Sequence, residues 1–263
     1  MNGPILQCAI ELALRAGQIQ KQAREHGVRV EQKGVADIVT AVDTACEQAI
    51  VSEISQRFPD HGIVAEEGST RGAAARCQWV IDPLDGTKNY AHGSVRCGVS
   101  IAVQLDGITQ VGVLYAPFVD ELFVAERGRG ARCNDRPISV SKTAELSHAM
   151  VASALTYTAG TRTADPSQLD RLLRVFSSVQ ALRSHGCCTL DLADVARGRL
   201  DAYFEPGLAS WDTAAGALLV CEAGGQVTNF DGEVHRVQHP HILASNGQVH
   251  AALRTILTAD RAV

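Results

Sequence analysis

The sequence predicts an α+β protein, and three features of its hydrophobic pattern support that fold class. Residues 4–26 repeat apolar side chains at helical spacing, whereas residues 62–132 carry them in short runs with a period of two. After about residue 145, stretches of the two kinds alternate. Helical spacing lines one face of a helix, and a period of two lines one face of a strand. The chain should therefore combine an antiparallel N-terminal sheet with a smaller C-terminal α/β part.

Two helices are predicted before the first long strand. The first covers residues 4–26, and Gly27 is suited to end it. The second follows Thr40 and Asp43 and ends before Pro59, because a residue that precedes proline disfavours the α conformation. Asp43 is therefore expected near the start of a helix.

The middle of the chain predicts an antiparallel meander. Apolar residues alternate along residues 99–105 and 111–115, and the Asp-Gly pair at 106–107 is typical of a hairpin turn. Strands and helices alternate after that. The predicted strands cover residues 150–154, 201–205, 226–229 and 242–245, and the predicted helices cover residues 166–178, 187–197 and 210–222.

We expect two domains, an N-terminal α+β domain over residues 1–145 and a C-terminal α/β domain over residues 146–263. The 263 residues suffice for either one large or two smaller hydrophobic cores. No stretch rich in Pro, Gly or Ser separates the two parts, so they should pack closely.

Composition and charge exclude several classes of protein. Hydrophobic residues make up 46% of the chain and charged residues 20%, as in an ordinary enzyme. The net charge of −5 and the scattered Lys and Arg argue against a nucleic-acid partner, because phosphate contacts need concentrated positive charge. No apolar run approaches about 18 residues and the N-terminus lacks a signal-peptide pattern. We therefore expect a cytoplasmic protein without a membrane segment.

The cysteines predict neither a zinc site nor a disulfide framework. The chain has 8 of them without a CxxC pair, and only Cys187 and Cys188 are adjacent. A covalent phosphocysteine mechanism would need a Cys-x5-Arg loop around the phosphate, which this pair lacks. We expect reduced, mostly buried thiols.

The segment WVIDPLDGT at residues 79–87 carries the strongest chemical signal. An apolar strand ends in Asp82, turns at Pro83 and presents Asp85 three residues later. Mg²⁺ prefers oxygen ligands, which two such carboxylates and a backbone carbonyl such as that of Leu84 could supply. The same residue types also form ordinary surface turns, and the segment alone leaves the two interpretations about equal.

Gly86 and Thr87 follow at a position where a new helix could begin. The unpaired N–H groups at a helix start favour a bound anion. Metal ions and a phosphate group could therefore meet there.

Acidic residues recur at other element junctions. Glu66 follows an apolar strand pattern, Asp212 opens a predicted helix, and Asp43 closes the segment that starts at Asp37. Each residue by itself also fits a solvated carboxylate or one that interacts with a helix dipole. Their recurrence favours a shared cation site.

Together these motifs resemble the inositol monophosphatase family, a branch of the Mg²⁺-dependent, lithium-sensitive phosphatases. The resemblance spans nearly the whole chain. It rests on residues 37–43, 66–67, 79–87, 115–117 with 120–123, 128–131, 211–216 and 222–225. It implies a layered α-β-α-β-α fold, a homodimer, two to three Mg²⁺ per active site, a metal-binding N-terminal domain and a small phosphate monoester as substrate.

The resemblance also implies a ligand set. Glu66, Asp82 and the Leu84 carbonyl would hold a first Mg²⁺, and Asp82, Asp85 and Asp212 would hold a second. Glu66 would also lie near a weaker third ion and would count among the catalytic residues. Hydrolysis by a metal-activated water agrees with this set, since it needs no nucleophilic side chain.

The remaining roles follow from the same resemblance. Thr87 paired with Asp43 would orient and deprotonate the attacking water. The N–H groups of Gly86 and Thr87 would bind the phosphate beside Asp85 and Asp212, and Glu205 would accept hydrogen bonds from substrate hydroxyls.

The chain departs from the family pattern where substrate is expected. Gly186 is followed by Cys187 and Cys188 at positions where the family usually has Ser, Thr or Ala. Lys88 stands where many inositol phosphatases have a neutral residue and where nucleotide 3′-phosphatases have lysine. We expect Gly186 and Cys187 to face the substrate, whose identity remains open.

Inositol monophosphate or a similar polyol or sugar phosphate is the leading expectation. Histidinol phosphate, fructose 1,6-bisphosphate and adenosine 3′,5′-bisphosphate are alternatives that would share the metal site. An interaction with the transcription machinery is an alternative of another class, since some bacterial relatives bind it.

Overall fold

The computed structural model describes residues 3–26, 30–32, 38–72, 74–154 and 165–259. Gly27 and Asp37, both used in the sequence predictions, lie outside the described residues.

Seven α-helices lie within the described part of the chain. They are α1 (Gly3–His26), α2 (Ala41–Arg57), α3 (Thr87–Ala91), α4 (Pro166–Phe176), α5 (Cys188–Ala196), α6 (Ser210–Glu222) and α7 (His250–Thr258). A short 3-10 helix covers Leu146–His148.

Fifteen strands lie within the same residues. They are β1 (Val30–Gln32), β2 (Ile38–Thr40), β3 (Gly62–Ala65), β4 (Thr70–Arg71), β5 (Cys77–Asp85), β6 (Gly98–Leu105), β7 (Ile108–Ala116), β8 (Glu121–Glu126), β9 (Ala131–Cys133), β10 (Arg136–Pro137), β11 (Met150–Ser153), β12 (Ala181–Arg183), β13 (Ala202–Pro206), β14 (Gln226–Thr228) and β15 (His241–Ser245).

The strands form one large and one smaller sheet, besides the β1–β2 pair. The large sheet has the order β10-β9-β8-β7-β6-β5-β3-β4, and the smaller one has the order β12-β11-β13-β15-β14. Neighbours in the large sheet are antiparallel except β3 and β5, which run parallel. The smaller sheet mixes parallel and antiparallel pairs.

The described helices and sheets stack in five layers, and three large apolar cores fill the spaces between them, the middle core on both sides of α5 and α6. Alternate residues of β5 point to opposite faces of the large sheet, so that Trp79 packs toward α1 and α2, whereas Val80 packs toward α5 and α6. Helices α5 and α6 also pack on the smaller sheet through residues such as Tyr203. The other face of that sheet buries Phe204 against α4 and α7. The layer order is α-β-α-β-α, which confirms the fold predicted from the family resemblance.

The local sequence explains where helix α2 begins. Thr40 is the N-cap of α2, and the Asp43 side chain accepts a hydrogen bond from the Thr40 N–H at 2.9 Å. This reciprocal cap satisfies N–H groups that a helix start otherwise leaves unpaired. The prediction that Asp43 lies at a helix start is confirmed.

Most of the predicted elements are confirmed. The two N-terminal helices, the β6–β7 hairpin and the predicted C-terminal strands and helices are present with small differences at their ends. The pattern did not distinguish the parallel β3–β5 pair from its antiparallel neighbours, and helix α7 was not predicted. The domain division at residues 145 and 146 stays a prediction.

The prediction of free, mostly buried thiols is confirmed for the described residues, where all 8 cysteines are free and most are buried. None of the described helices is both long enough and apolar enough to span a bilayer.

Candidate active site

A bulge at the end of β5 brings Asp82 and Asp85 to the same face of the sheet. Asp82 pairs with Ser100 and Asp85 pairs with Gly98, so two residues of β5 lie opposite one residue of β6. In a regular strand, residues three apart face opposite sides. The extra residue in the bulge shifts the alternation by one position. Both carboxylates therefore lie on the face of the sheet that Gly98 and Ser100 share.

The parallel pairing of β3 and β5 brings Glu66 to the same place. Ala65 pairs with Ile81, so the next residue on each strand is a carboxylate, Glu66 beside Asp82. The Glu66 N–H donates to the Ile81 carbonyl at 3.2 Å, which continues the ladder by one step. Because parallel strands end at the same edge of a sheet, the two acidic ends meet.

Asp212 reaches this point from the start of α6. The Ala209 N–H donates to the Asp212 carboxylate at 2.6 Å, and the Ser100 hydroxyl donates to the Trp211 carbonyl at 3.1 Å. The second bond ties the helix start to the strand opposite Asp82. The carboxylate of Asp212 is thereby fixed above the end of β5.

The electrostatics show that these four carboxylates converge. Burial raises the pKa of Asp82 well above its usual value, and Glu66, Asp85 and Asp212 raise it further. Burial and then Asp85 also raise the pKa of Asp212. A side-chain hydrogen bond with Glu66 is a further, smaller cause of the raised pKa of Asp82.

Each of three carboxylates is also held by donors from the protein. Leu84 N–H donates to Asp82 at 3.0 Å, the Thr189 N–H and hydroxyl each donate to Asp85 at 2.7 Å, and Ala209 N–H holds Asp212. Among the described residues, no three or more Asp, Glu, His or Cys side chains are grouped as a formed metal-ion site. The carboxylates thus lie within electrostatic range without forming a closed ligand shell.

The donor chemistry fits Mg²⁺. All four side chains offer oxygen, which hard divalent cations prefer, and several like charges in a buried position favour either proton uptake or a bound cation. Residues Glu66, Asp82, Asp85 and Asp212 could hold such an ion.

A second cluster lies beside the carboxylates. The Thr87 hydroxyl is 2.9 Å from Asp43 Oδ1 and 3.1 Å from the Leu84 carbonyl, so its single proton can be given to either oxygen. Asp43 is buried at the start of α2. Asp43 and Thr87, which the family resemblance predicts to act as a pair, are in hydrogen-bond contact.

Gly86 links the bulge to helix α3. Its φ of +82° lies in the left-handed region, which favours glycine. A Cβ atom there would come within 2.8 Å of the Arg96 carbonyl and 3.3 Å of Cys187 Cβ. Thr87 is the first residue of α3, so the predicted helix start is present, although α3 has only 5 residues.

The C-terminal part of the chain covers the site from another side. Cys187 is buried at the start of α5, and its Sγ lies 3.1 Å from Asp85 Oδ2. Gly186 precedes it with a φ of +71°, and the Asn89 amide donates to the Gly186 carbonyl at 3.2 Å. Cys187 lies directly before α5, close to the predicted start of a helix at residue 187, and its thiol is directed at Asp85.

Glu205 lies on β13 with only 7% of its surface exposed. Burial raises its pKa to about 7, the Tyr203 hydrogen bond lowers it, and Asp85 and Asp191 raise it. The Tyr203 hydroxyl donates to Glu205 Oε2. Glu205 can therefore change its protonation state near neutral pH and offers an oxygen acceptor beside the carboxylates.

Comparisons with known proteins support a single assignment. The profile of the inositol monophosphatase family matches residues 1–261. The chain belongs to the inositol monophosphatase family. It is 40% identical over 263 residues to Nus factor SuhB of Pseudomonas aeruginosa, covering 97% of this chain and 96% of that protein. It is 39% identical over 251 residues to inositol monophosphatase 2 of Solanum lycopersicum, covering 93% and 94%.

Solved structures agree with this membership in the inositol monophosphatase family. The crystal structure of extragenic suppressor protein suhB from Bartonella henselae superposes with a TM-score of 0.92 at 34% identity. The superposition covers 99% of this chain and 100% of that chain. The family resemblance predicted from the motifs is confirmed.

The inositol monophosphatase motifs did not indicate every residue that shapes the site. Thr189 and Tyr203 hold Asp85 and Glu205, and the buried Gln20 of α1 donates from Nε2 to the Pro83 carbonyl at 2.9 Å. The sequence pattern treats Gln20 as one more position of an amphipathic helix. The only sign of this role in the sequence was that Gln20, a polar residue, lies on the helical face that also buries Ala16.

Proposed function

We propose that this chain is a Mg²⁺-dependent phosphomonoesterase that hydrolyses inositol monophosphate or a similar polyol or sugar phosphate. The observation that carries the proposal is the convergence of Glu66, Asp82, Asp85 and Asp212. The hydrogen-bonded pair of Asp43 and Thr87 lies next to them, since Thr87 also contacts the Leu84 carbonyl between Asp82 and Asp85.

Hydrolysis of a phosphate monoester needs positive charge and an aligned water. Bound Mg²⁺ would supply charge for the phosphoryl oxygens and would make a water molecule more acidic. Glu66, Asp82, Asp85, Asp212 and the Leu84 carbonyl are the oxygens that would hold two to three ions. The water oxygen bonds to phosphorus, the bond from phosphorus to the alcohol oxygen breaks, and the alcohol leaves with a proton.

Thr87 and Asp43 supply the orientation of that water. When the Thr87 hydroxyl donates its proton to Asp43, its oxygen lone pairs are available to accept a hydrogen bond from water. Asp43 is held by the Thr40 N–H, so the Thr87 oxygen has a fixed direction. We assign Thr87 and Asp43 to orient and deprotonate the water.

The substrate contacts come from both parts of the chain. The N–H groups of Gly86 and Thr87 would donate to the phosphate, and Glu205 would accept hydrogen bonds from hydroxyl groups of a polyol. Gly186 and Cys187 would border the substrate. The buried, polar setting of Glu205 supports a substrate rich in hydroxyl groups.

A phosphate-release assay tests the proposal. Purified protein would be given inositol, sugar, histidinol and nucleotide phosphates, each with Mg²⁺ and with a chelator. We expect Mg²⁺-dependent release, fastest with a polyol or sugar phosphate, and inhibition by Li⁺. Absence of Mg²⁺-dependent release across the panel would overturn the proposal. Fastest release from a nucleotide or histidinol phosphate would overturn the substrate assignment alone.

A second candidate function is supported by the names of relatives. Several proteins 38–40% identical to this chain are named Nus factor SuhB, including those of Pseudomonas aeruginosa and Haemophilus influenzae. An interaction with the transcription machinery would not require turnover. Co-purification with RNA polymerase factors, retained in an Asp85→Asn variant, would support this role, and its absence from both proteins would exclude it.

We also expect a homodimer from family membership. Light scattering of the purified chain should give a mass near twice the 28.0 kDa of one chain, and a monomer would contradict this expectation.

A further inference from the structure

Glu47 of helix α2 is a buried carboxylate with no role in the site described above. Only 3% of its surface is exposed. Its Oε2 accepts a hydrogen bond from the Glu67 N–H at 2.7 Å, and its Oε1 accepts one from the Ser69 N–H at 3.0 Å. Both carboxylate oxygens therefore hold the backbone of one short segment.

That segment is the turn between β3 and β4, which begins with Glu66. The turn is closed by the Ala65 N–H, which donates to the Ser69 carbonyl at 3.1 Å, and by Gly68 with a φ of +109°. Glu66 contacts Asp82 through its side chain and Ile81 through its N–H. The direction of the Glu66 side chain thus depends on the backbone that Glu47 holds.

Helix α2 sets two parts of the site at once. Asp43 and Glu47 are four residues apart and both are buried, so they lie on the same helical face with Cβ atoms about 5–6 Å apart. Asp43 contacts the Thr87 hydroxyl, and Glu47 contacts the turn that carries Glu66. One helical turn therefore fixes the spacing between the water-orienting pair and a carboxylate of the cluster.

We propose that Glu47 is a positioning residue for cation binding, which holds the turn at residues 66–69 so that the Glu66 carboxylate faces Asp82. This inference rests on the proposed function, because it assigns Glu66 to the cation. A buried carboxylate that accepts two N–H bonds is itself satisfied and needs no cation of its own. Its effect on the ion passes through Glu66.

The test compares Glu47→Gln with Glu53→Gln. Glutamine keeps the shape of Glu47, but its amide NH₂ must face one of the two N–H donors, so one hydrogen bond is lost. Glu53 is the matched control, since it is a carboxylate on the same helix that pairs instead with Arg15 and Arg57. Binding of Mn²⁺ to the unliganded protein is followed by electron paramagnetic resonance, and the Mg²⁺ dependence of phosphate release is measured separately.

We expect Glu47→Gln to raise the Kd for Mn²⁺ and the half-saturating Mg²⁺ concentration by about tenfold, as when other partners of metal ligands are changed. At saturating Mg²⁺, kcat should stay within about threefold of wild type, because the ligands themselves remain. Hydrogen exchange of the backbone over residues 62–71 should become faster. Glu53→Gln should match wild type in all three measurements.

Unchanged Mn²⁺ affinity in a folded Glu47→Gln variant would overturn the proposal, even if its melting temperature fell. Should that variant not fold, Glu47→Asp provides the same test, because it keeps the charge but is too short to reach both N–H groups. A wild type that binds Mn²⁺ but releases no phosphate would overturn the proposed function, while the Mn²⁺ titration would still decide the role of Glu47. A wild type that binds no Mn²⁺ would overturn both.

Discussion

Two sides of the candidate site are built in different ways. The carboxylate cluster (Glu66, Asp82, Asp85 and Asp212) comes from the ends of two strands and the start of α6, and burial together with the neighbouring carboxylates raises the pKa of Asp82 and of Asp212. The proposed substrate wall (Gly186, Cys187, Cys188 and Glu205) comes from the start of α5 and from β13. The cluster contains only carboxylates, whereas the wall mixes a glycine, two thiols and one carboxylate.

This difference in composition suggests different roles, with the cluster suited to the chemical step and the wall to substrate selectivity. A cation site tolerates little change, because each carboxylate supplies both charge and an oxygen of a given direction. The wall would only have to complement the alcohol part of a substrate, so a change there would alter which substrate binds without removing the cation site. Substitutions in the cluster should therefore reduce turnover, and those in the wall should change KM.

Replacing Asp85 gives the largest expected effect. Asp85→Asn removes one negative charge from the cluster but keeps an oxygen that can accept from Thr189. We expect kcat for phosphate release to fall about thousandfold, which corresponds to about 4 kcal/mol of lost transition-state stabilisation. Steady-state kinetics across Mg²⁺ concentrations measure this.

Glu222→Gln is the matched control for that substitution, because its carboxylate also accepts two hydrogen bonds from the protein, from the N–H groups of Gly128 and Gly130, outside the cluster. Wild-type rates are expected for it. A rate near wild type in Asp85→Asn would contradict the assignment of the cluster.

Thr87→Ala should give the next largest effect. The change removes the hydroxyl that lies 2.9 Å from Asp43 Oδ1 but leaves every carboxylate of the cluster in place. We expect kcat to fall about a hundredfold, as for the loss of a group that assists proton transfer, with unchanged affinity for Mn²⁺. Kinetics and a Mn²⁺ titration separate the two quantities.

Thr87→Ser keeps the hydroxyl and should recover most of the rate. If serine were as slow as alanine, the hydroxyl would have no part in the reaction, and the methyl group of Thr87 would explain the loss.

The sequence predicted the cluster better than its supports. Acidic residues at strand ends are visible in a sequence, because an apolar run that stops at Asp82 or Glu66 marks both the strand and its edge. The bulge that turns Asp85 to the face of Asp82 was not predicted, since it depends on how β5 pairs with β6. Pro83 was the local sign of an irregular strand.

Buried polar supports were missed for a physical reason. Gln20 and Glu47 lie on helices whose pattern gives only one buried face, and their partners are backbone groups of Pro83, Glu67 and Ser69. Such contacts join residues 20 or more positions apart in the chain, which periodicity does not detect. The five layers were predictable through family resemblance, whereas the hydrophobic pattern alone gave only the elements.

The burial of Glu205 in the wall can be tested through the pH dependence of protein stability. Its folded pKa of about 7 exceeds the usual 4.5, so between these values the folded protein holds a proton that the unfolded chain releases. The free energy of unfolding of metal-free protein should therefore fall as pH rises from 4.5 to 7, by about 3 kcal/mol from this group. Glu205→Gln should remove that part of the fall.

Urea denaturation at several pH values, with a chelator present, measures the difference between wild type and Glu205→Gln. Asp82 and Asp212 also have raised pKa values, so only the difference belongs to Glu205. In kinetics the same variant should raise KM for a polyol phosphate about tenfold, because a hydrogen bond from a substrate hydroxyl to a neutral amide oxygen is weaker than one to a carboxylate. Parallel pH curves for the two proteins would show that Glu205 is not buried as described.

Cys188→Ser should give the smallest effect and separates the two sides most sharply. The Cys188 thiol lies 3.5 Å from the Asp212 carbonyl, and burial raises its pKa well above the usual value, so it is a neutral group at the wall. Serine keeps a neutral donor of slightly smaller size. We expect kcat to stay within about twofold, and the ratio of kcat/KM between two polyol phosphates to change by about threefold. A fall in kcat of a hundredfold would mean that the thiol supports the position of Asp212, and the cluster and the wall would then form one unit rather than two.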